Sequence, residues 1–497
     1  MRFAARADAM SGDTVGVSPW APGPGAREDD ARWRFGLFSG LLAAALILHQ
    51  LWWDGFEVGS LHLVVVLAAF GVLLRPASVP RFLAMIAAET LAVARDMPGA
   101  GSHTLLVGVC GATVLAYTAW VTLSTRRLPD GAVLFERISP FLRLALLVLY
   151  AAAALAKLNR GFFDPAVSCA AALAPRVAWF DPSLLDWGWL AWPAIVGTAL
   201  IEAALPVLLC VRRTRMAGLA LGTAFHLVLA LAGNVPFSSL VLALYVAFLP
   251  AGVVSRARAV VLGMAPALGR ARNVLPGTSR GGRTRGWRCR VEAAAFALLA
   301  AGWGLGALVA EAEPATARAV IGEGTRLVVV AIVLVVAVLA FAVRRTHAWP
   351  VGAFVPGLRL GHPVFAIGIA VLVVNALTPY VGLKTESSFT MFSNLQTEAG
   401  YWNHAFIPEA VRVFSYQDRL VTVTASDDPS LVRRSSRGTR IVRFELERYL
   451  RRHPGVRVTS TPGPTTTVAS AGGLSLRALV DKVAKFRDVR APARRGC

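Results

Sequence analysis

Apolar runs long enough to cross a bilayer recur along most of this chain, divided by shorter polar stretches. They fall near residues 35–53, 58–74, 82–96, 103–123, 141–157, 189–211, 216–233, 235–251, 291–310, 326–343 and 363–383. The third is short enough to be re-entrant. Beyond the last run the pattern changes. Residues 410–425 alternate around Tyr416-Gln417-Asp418, with Val411 and Val413 before it and Leu420, Val421 and Val423 after, which predicts a hairpin. Ile441, Val442, Phe444, Tyr449 and Leu450 are spaced as on one face of a helix over 439–452, which His453-Pro454-Gly455 ends. Arg457 to Thr461 reads as a strand, Gly463 to Gly473 as a loop, and Leu474 to Phe486 as a second amphipathic helix. The predicted fold class is an all-α polytopic membrane protein of about eleven transmembrane helices, with a small C-terminal extracytoplasmic α+β segment that packs on the membrane domain.

Charge orients the spans. Arg75 and Arg81 follow the second, Arg126, Arg127 and Arg137 the fourth, and Arg212, Arg213 and Arg215 the sixth. The eighth is followed by the largest cluster, Arg256 and Arg258 through Arg288 and Arg290, and the tenth by Arg344 and Arg345. The alternate loops are poor in net positive charge, with Asp54 and Glu57, Arg95 with Asp96, Asn234, and Glu311, Glu313 and Glu323 against Arg318. Every basic loop falls on one side, so the N-terminus is expected in the cytoplasm and the C-terminus outside it. The chain divides into a disordered cytoplasmic tail (1–32), a first membrane domain (33–253), a basic cytoplasmic loop (254–290), further spans (291–383) and the extracytoplasmic segment (384–497).

Composition agrees. Hydrophobic residues make up 56% of the 497, and the mean hydropathy is +0.57, which excludes an ordinary soluble domain. The net charge of +22 follows topology and points to anionic lipid. No nucleic-acid partner is expected, because the basic stretches lack interleaved aromatics. The N-terminal residues have no apolar h-region and do not read as a signal peptide. Cys110, Cys169, Cys210, Cys289 and Cys497 form no CxxC or Cys/His pattern, so neither a disulfide framework nor a structural zinc is predicted.

Lysine usage singles out one position. Lys+Arg total 51, yet the only lysines are Lys157, Lys384, Lys482 and Lys485. Lys157 closes the apolar run Leu144 to Ala156, at the outer face in this topology. Where arginine serves every other positive charge, a lone lysine suggests a task arginine cannot perform, namely giving up its proton. The alternative is a snorkelling anchor. Glu202 and His226 lie within the sixth and seventh spans, where ionisable groups are costly and are functional candidates by default. Each also has a structural reading: Glu202 beside the backbone freed by Pro206, and His226 as a hydrogen-bonded core residue. His103 begins the fourth span, level with Lys157; nothing is evident around His49 or His62. The stretch from Thr378 through Phe389 to His404 mixes hydrogen-bonding and apolar side chains, which suits a loop folded over the outer mouth of the bundle. No HExxH, GxSxG or P-loop pattern occurs.

Leu155-Ala156-Lys157-Leu158-Asn159, Ile201-Glu202 with Pro206, and Phe225-His226, in that order, resemble the vitamin K-dependent γ-carboxylase-like membrane domain, also called the horizontally transferred transmembrane (HTTM) domain, over residues 33–253. Phe392 to His404 and Leu479 to Arg487 resemble the outer region of bacterial members. The resemblance implies Lys157 as the base that deprotonates a reduced vitamin K-type quinone (menaquinol-like). Oxygen then turns the quinol into a strong base that removes a glutamyl γ-proton, and CO2 adds to the carbanion. It also implies catalytic places for His103, Glu202 and His226, and cofactor contacts from Asn159 and Phe225. The implied partners are the lipid bilayer, the lipid-soluble quinone, and a protein or peptide substrate outside the cytoplasm. The chain departs from the family pattern at Ala156, where a second lysine is expected, at Arg160-Gly161-Phe162-Phe163, and in lacking a large outer β-rich domain. Two functions therefore stand: a quinol-dependent carboxylase or epoxidase, and a non-catalytic membrane protein that binds lipid or scaffolds a partner.

Overall fold

The computed structural model describes residues 24–53, 61–179, 188–255, 257, 281–313, 316, 357–398, 400–436, 438–461 and 476–490. Among the described residues, five helices are long and apolar enough to cross a membrane: Glu28–Trp52, Ser102–Thr125, Gly131–Lys157, Ala191–Cys210 and Ala293–Ala312. Shorter apolar helices lie at Leu61–Leu74, Arg215–Leu231, Val235–Phe248 and Pro363–Leu377. The span expected at 326–343 and the centre of the basic loop expected at 254–290 lie outside the described residues.

In chain order the described helices before the C-terminal unit are α1 (Pro24–Trp53), α2 (Leu61–Leu74), α3 (Val79–Asp96), α4 (Ser102–Thr125), α5 (Gly131–Lys157), the short α6 (Cys169–Leu173), α7 (Ala191–Cys210), α8 (Arg215–Leu231), α9 (Val235–Tyr245), α10 (Gly281–Ala312) and α11 (Pro363–Leu377). α5 is the central post. Asp130 caps its start, accepting from Ala132 N at 2.9 Å. Leu134, Phe135, Ile138, Phe141, Ala145, Leu146 and Leu149, at three- and four-residue spacing, are buried against neighbouring helices. Its Arg143 guanidinium is buried and donates to Ala247 O at 2.7 Å and Gly357 O at 3.3 Å, tying the end of α9 to the approach to α11.

Small residues let the helices close up where lipid offers no hydrophobic drive. A Cβ on Gly108 of α4 would lie 2.7 Å from Val93 Cγ1 of α3. α10 stands at the periphery, with Phe296 edge-on to Phe70 at 5.5 Å.

Two expectations need correction here. The tail expected over 1–32 already belongs to α1 from residue 24, because Asp30 and Arg34 form a buried pair at 2.9 Å. Asp30 also accepts from the Ser255 hydroxyl at 2.9 Å, so the start of α1 is anchored to the chain beyond α9. Cys169 is disulfide-bonded, which the absence of a cysteine motif did not predict, while Cys110 and Cys210 are free.

The C-terminal unit is α+β, as expected, but differently wired. Its elements are β1 (Leu420–Ser426), α12 (Pro429–Ser436), β2 (Thr439–Val442), α13 (Arg443–Arg452), β3 (Val458–Thr461), α14 (Leu476–Val483) and β4 (Val489–Arg490). The antiparallel sheet has the order β3-β1-β2-β4. The hairpin expected around Tyr416 is absent: β1 pairs with β2 and β3, while Val413 and Phe414 donate their N–H groups to Val381 O at 3.1 and 2.9 Å. The alternation of Val411 and Val413 reflects a strap over the end of α11. Helical spacing read from 439 covers β2 as well, since Ile441 and Val442 are both buried, one into each of two small clusters.

Replacing Asp30 by Ala strands the buried Arg34 guanidinium and should lower stability by about 3 kcal/mol, read as the thermal midpoint in detergent; an unchanged midpoint would contradict the anchoring of α1.

Candidate functional site: a buried lysine–glutamate pair on an apolar cavity

A cavity of about 340 Å³ lies among α5, α7, α8 and the start of α9. Its wall is mostly aliphatic and aromatic, with Leu149, Ala153, Ile201, Leu221, Phe225 and Phe237 among its residues. The side chains that interrupt this apolar surface include Tyr150, Lys157, Glu202, His226 and Asn234. Lys157 is 2% exposed, which excludes snorkelling, since a snorkelling amine ends in water. Its Nζ lies 2.7 Å from Glu202 Oε2, donates to Met391 O at 3.3 Å, and sits 5.7 Å from the centre of the Phe162 ring. The contact with Glu202 fits an ammonium on a carboxylate or an amine on a carboxylic acid, two states related by moving one proton. α5 delivers the lysine at its last residue, and α7, split from α6 by the turns after Leu173, delivers the glutamate four residues before Pro206.

The wall on the α7 side is thin. Pro193, Ala194, Gly197 and Thr198 line the cavity, while Val196, Leu200 and Val207 of the same helix are exposed apolar residues. A Cβ added at Gly197 meets nothing within 4 Å. One helix, with small residues at these lining positions, therefore separates the cavity from an exposed apolar surface.

His226 is fully buried in α8 and shares the cavity wall with Tyr150. The Tyr150 hydroxyl is 2.6 Å from His226 Nε2 and 2.6 Å from the Tyr245 hydroxyl. Sequence reasoning missed both tyrosines, although Tyr150 lies two turns before Lys157 and so shares its face of α5. His103 stands apart from Lys157. Its Nε2 is 3.1 Å from His49 Nδ1, and the Phe237 ring, 6.1 Å from His103 and 5.3 Å from His226, separates the two histidine groups. The residues lining the cavity do not include His103. His49 and His62, around which nothing was expected, are engaged with His103 and with Asp96 at 3.3 Å.

The segment from Lys384 to His404 roofs the cavity, as its mixed sequence suggested. Asn159 is its main latch. Its Nδ2 donates to Ala156 O at 2.7 Å and Ser393 O at 2.6 Å, and its Oδ1 accepts from Phe162 N at 2.9 Å and Asn403 Nδ2 at 3.3 Å. All four of its hydrogen-bonding positions are filled by protein. The cofactor contact expected of Asn159 is therefore corrected to a structural one, whereas Phe225 does line the cavity. Asn394 adds two bonds, accepting from Cys169 N at 2.8 Å and donating to Val167 O at 2.9 Å. Ser387, Phe389, Phe392 and Asn394 all adopt positive φ, an expensive concentration of left-handed backbone that the latches hold in place.

Above the roof is a second, polar chamber of about 720 Å³, bounded by this loop and the C-terminal unit through Arg434, Lys485, Arg487 and Asp488. Met391 and Phe392 border both chambers, so these two side chains form the partition. Lys384, outside the spans, is buried, donates to Ser387 O at 3.4 Å, and is pushed down to about 8 by burial. His404 is held below its ordinary value by burial, against the opposing pull of its bond to Leu155 O. Its Nδ1 accepts from Phe406 N at 3.2 Å and Ile407 N at 2.9 Å, so protonation there breaks two bonds.

No family model, no curated protein and no solved structure matches this chain.

A histidine whose folded value is depressed contributes stability above its unfolded value of 6.5 and loses it as pH falls below that point. Amide exchange in residues 389–407 should therefore quicken as pH drops below 6.5, after correction for intrinsic rates. The pH-dependent part should vanish in His404→Gln; a profile identical in the two proteins would contradict the latch.

Proposed function

We propose that this chain is an integral membrane enzyme of the vitamin K-dependent γ-carboxylase-like (HTTM) type, acting as a quinol-dependent carboxylase or epoxidase at the outer membrane face. In this reading it has about eleven spans, the N-terminus lies in the cytoplasm and the C-terminal unit outside it. The observation that carries the proposal is Lys157, inward-facing and 2.7 Å from Glu202 on the wall of an apolar cavity.

The residues present suit a quinol. The apolar walls from α7 and α8 match an aromatic ring and an isoprenoid tail entering from lipid. His226 Nδ1 is a buried ring nitrogen without a hydrogen-bond partner among the described residues, so it is free to meet a ligand oxygen. Lys157 and Glu202 stand at the opposite end of the polar set. The quinol, when bound, supplies a hydroxyl to be deprotonated and a ring that reacts with O2 ahead of CO2 addition to the substrate.

Lys157, as the amine, takes the hydroxyl proton. For Lys157 to start as the amine, the proton the pair shares stays on Glu202, and the charge of the ammonium so formed would be balanced by the negative charge left on the hydroxyl oxygen. An arginine cannot act in this way, because a guanidinium does not give up its proton. Met391 and Phe392 shield the lysine from the outer chamber, which provides room for a protein or peptide substrate. One observation favours the second reading, a non-catalytic lipid-binding or scaffold protein: the pair balances its own charge and needs no reaction to explain it.

Oxygen-dependent epoxidation of a reduced naphthoquinone by purified protein separates the two. Wild type should turn over, and both Lys157→Arg and Lys157→Ala should lose about 10²-fold or more of the rate. Turnover retained by Lys157→Arg, or absent from wild type, would remove the enzyme reading.

A further inference from the structure

The polar groups of the cavity fall into two ends. Lys157 and Glu202 form one. Tyr150 and His226 form the other, about 10 Å away along α5, because Tyr150 precedes Lys157 by seven residues. At this second end the hydrogen bonds make a chain with a definite direction.

The Tyr245 hydroxyl has one hydrogen-bond partner among the described residues, Tyr150 at 2.6 Å. Tyr150 in turn is 2.6 Å from His226 Nε2. Each phenol donates once, and a neutral imidazole carries one N–H. If His226 donated from Nε2, Tyr150 would pass its own proton to Tyr245. The Tyr245 proton would then be buried without an acceptor. In the reverse direction Tyr245 donates to Tyr150, Tyr150 donates to Nε2, and every hydroxyl proton is satisfied. Either direction leaves one donor without a partner among the described residues, the Tyr245 hydroxyl or the His226 Nδ1–H. His226 lines the cavity, where a ligand can accept from it, and Tyr245 does not, so only the second direction leaves a donor that a ligand can satisfy.

Gly222 shows that the chain is built in. It lies one turn before His226 on α8, and a Cβ there would collide with the Tyr245 hydroxyl. Glycine at this position is what allows Tyr245 to reach Tyr150.

We propose that Tyr245 and Tyr150 are positioning residues that fix His226 as an Nδ1–H donor, aimed at an acceptor oxygen on a flat apolar ring held in the cavity. This rests on the quinol reading for the ligand. The ligand class that fits is an aromatic ring carrying two oxygens on opposite edges, one for His226 and one for Lys157. A plain hydrocarbon or a lipid tail fills the same space without using either.

The test has two parts. The first is the ring-nitrogen chemical shifts of isotope-labelled histidine in the full-length protein, with His226 signals identified by their loss in His226→Gln. Wild type should show the Nδ1–H tautomer, and Tyr150→Phe a mixture or the Nε2–H form. The Nε2–H tautomer in wild type overturns the proposal. The second part compares binding of menadione, a tail-less naphthoquinone, with that of methylnaphthalene, which keeps the ring and lacks the oxygens. Tyr150→Phe should weaken menadione about tenfold, the worth of one hydrogen bond, and leave methylnaphthalene unchanged. Tyr245→Phe, which keeps Tyr150 in place, should weaken it less. Equal menadione binding by wild type and both variants overturns the proposal. No menadione binding by wild type overturns the quinone ligand and the reading it rests on, while the tautomer independently decides the direction of the chain.

Discussion

The contact between Lys157 and Glu202 fixes the arrangement of everything around the cavity. Neither group is tolerable alone in a site lined by Leu149, Ile201, Phe225 and Phe237. A single buried charge there would cost several kcal/mol. The pair therefore requires α5 and α7 to meet at one depth, with the lysine at the last turn of one and the glutamate midway along the other. It also requires a cover, because water reaching the pair would screen the attraction between its two charges. Met391 supplies part of that cover directly, through the carbonyl that accepts from Lys157.

The cover is itself a polar loop, and its backbone must be satisfied where neither helix nor sheet does so. Asn159 and Asn394 meet that need by bonding main-chain groups on both sides of the roof. The conformation so enforced includes four left-handed residues, with Phe389 and Phe392 among them. Such backbone persists only where surrounding bonds over-determine it, and it collects at ligand clamps and active sites. The same bonds place Met391 and Phe392 between an apolar chamber walled by α5, α7 and α8 and a polar chamber that reaches the C-terminal unit.

Much of the fold was legible because hydrocarbon imposes simple rules. Long apolar runs become helices, so α4 and α7 lie where the pattern put them, α5 ends there but begins ten residues earlier, at Gly131, and the third run forms an 18-residue helix, α3, that is not among the five long and apolar enough to cross a membrane. The start of α1 was not legible, because Asp30 and Arg34 look like a solvated tail until each is seen as the other's partner. The strap at Val411 and Val413 imitated a strand for a similar reason. Alternation records which side chains are covered, whereas strand pairing depends on what lies alongside, and there it is the turn after α11. Within the site, rarity exposed Lys157, and depth exposed Glu202 and His226. Tyr150 and Tyr245 were hidden, since a tyrosine in an apolar run carries no sign that its hydroxyl has a partner on another helix.

The sequence by itself determined that this is a helical protein with segments long and apolar enough to cross a membrane, and that one lysine near an apolar boundary is unlike its other cations. Both follow from local chemistry: the free energy of an apolar run in lipid, and the difference between an amine and a guanidinium. Only the tertiary structure decided that Lys157 turns inward to Glu202, that His103 belongs with His49 across the Phe237 ring, and that Asn159 latches the roof through bonds on both sides of it. Those outcomes depend on which helix faces which and at what depth. Packing sets that relation through close approaches such as Gly108 on Val93 and Gly222 beneath Tyr245, and no periodicity within a single segment encodes it.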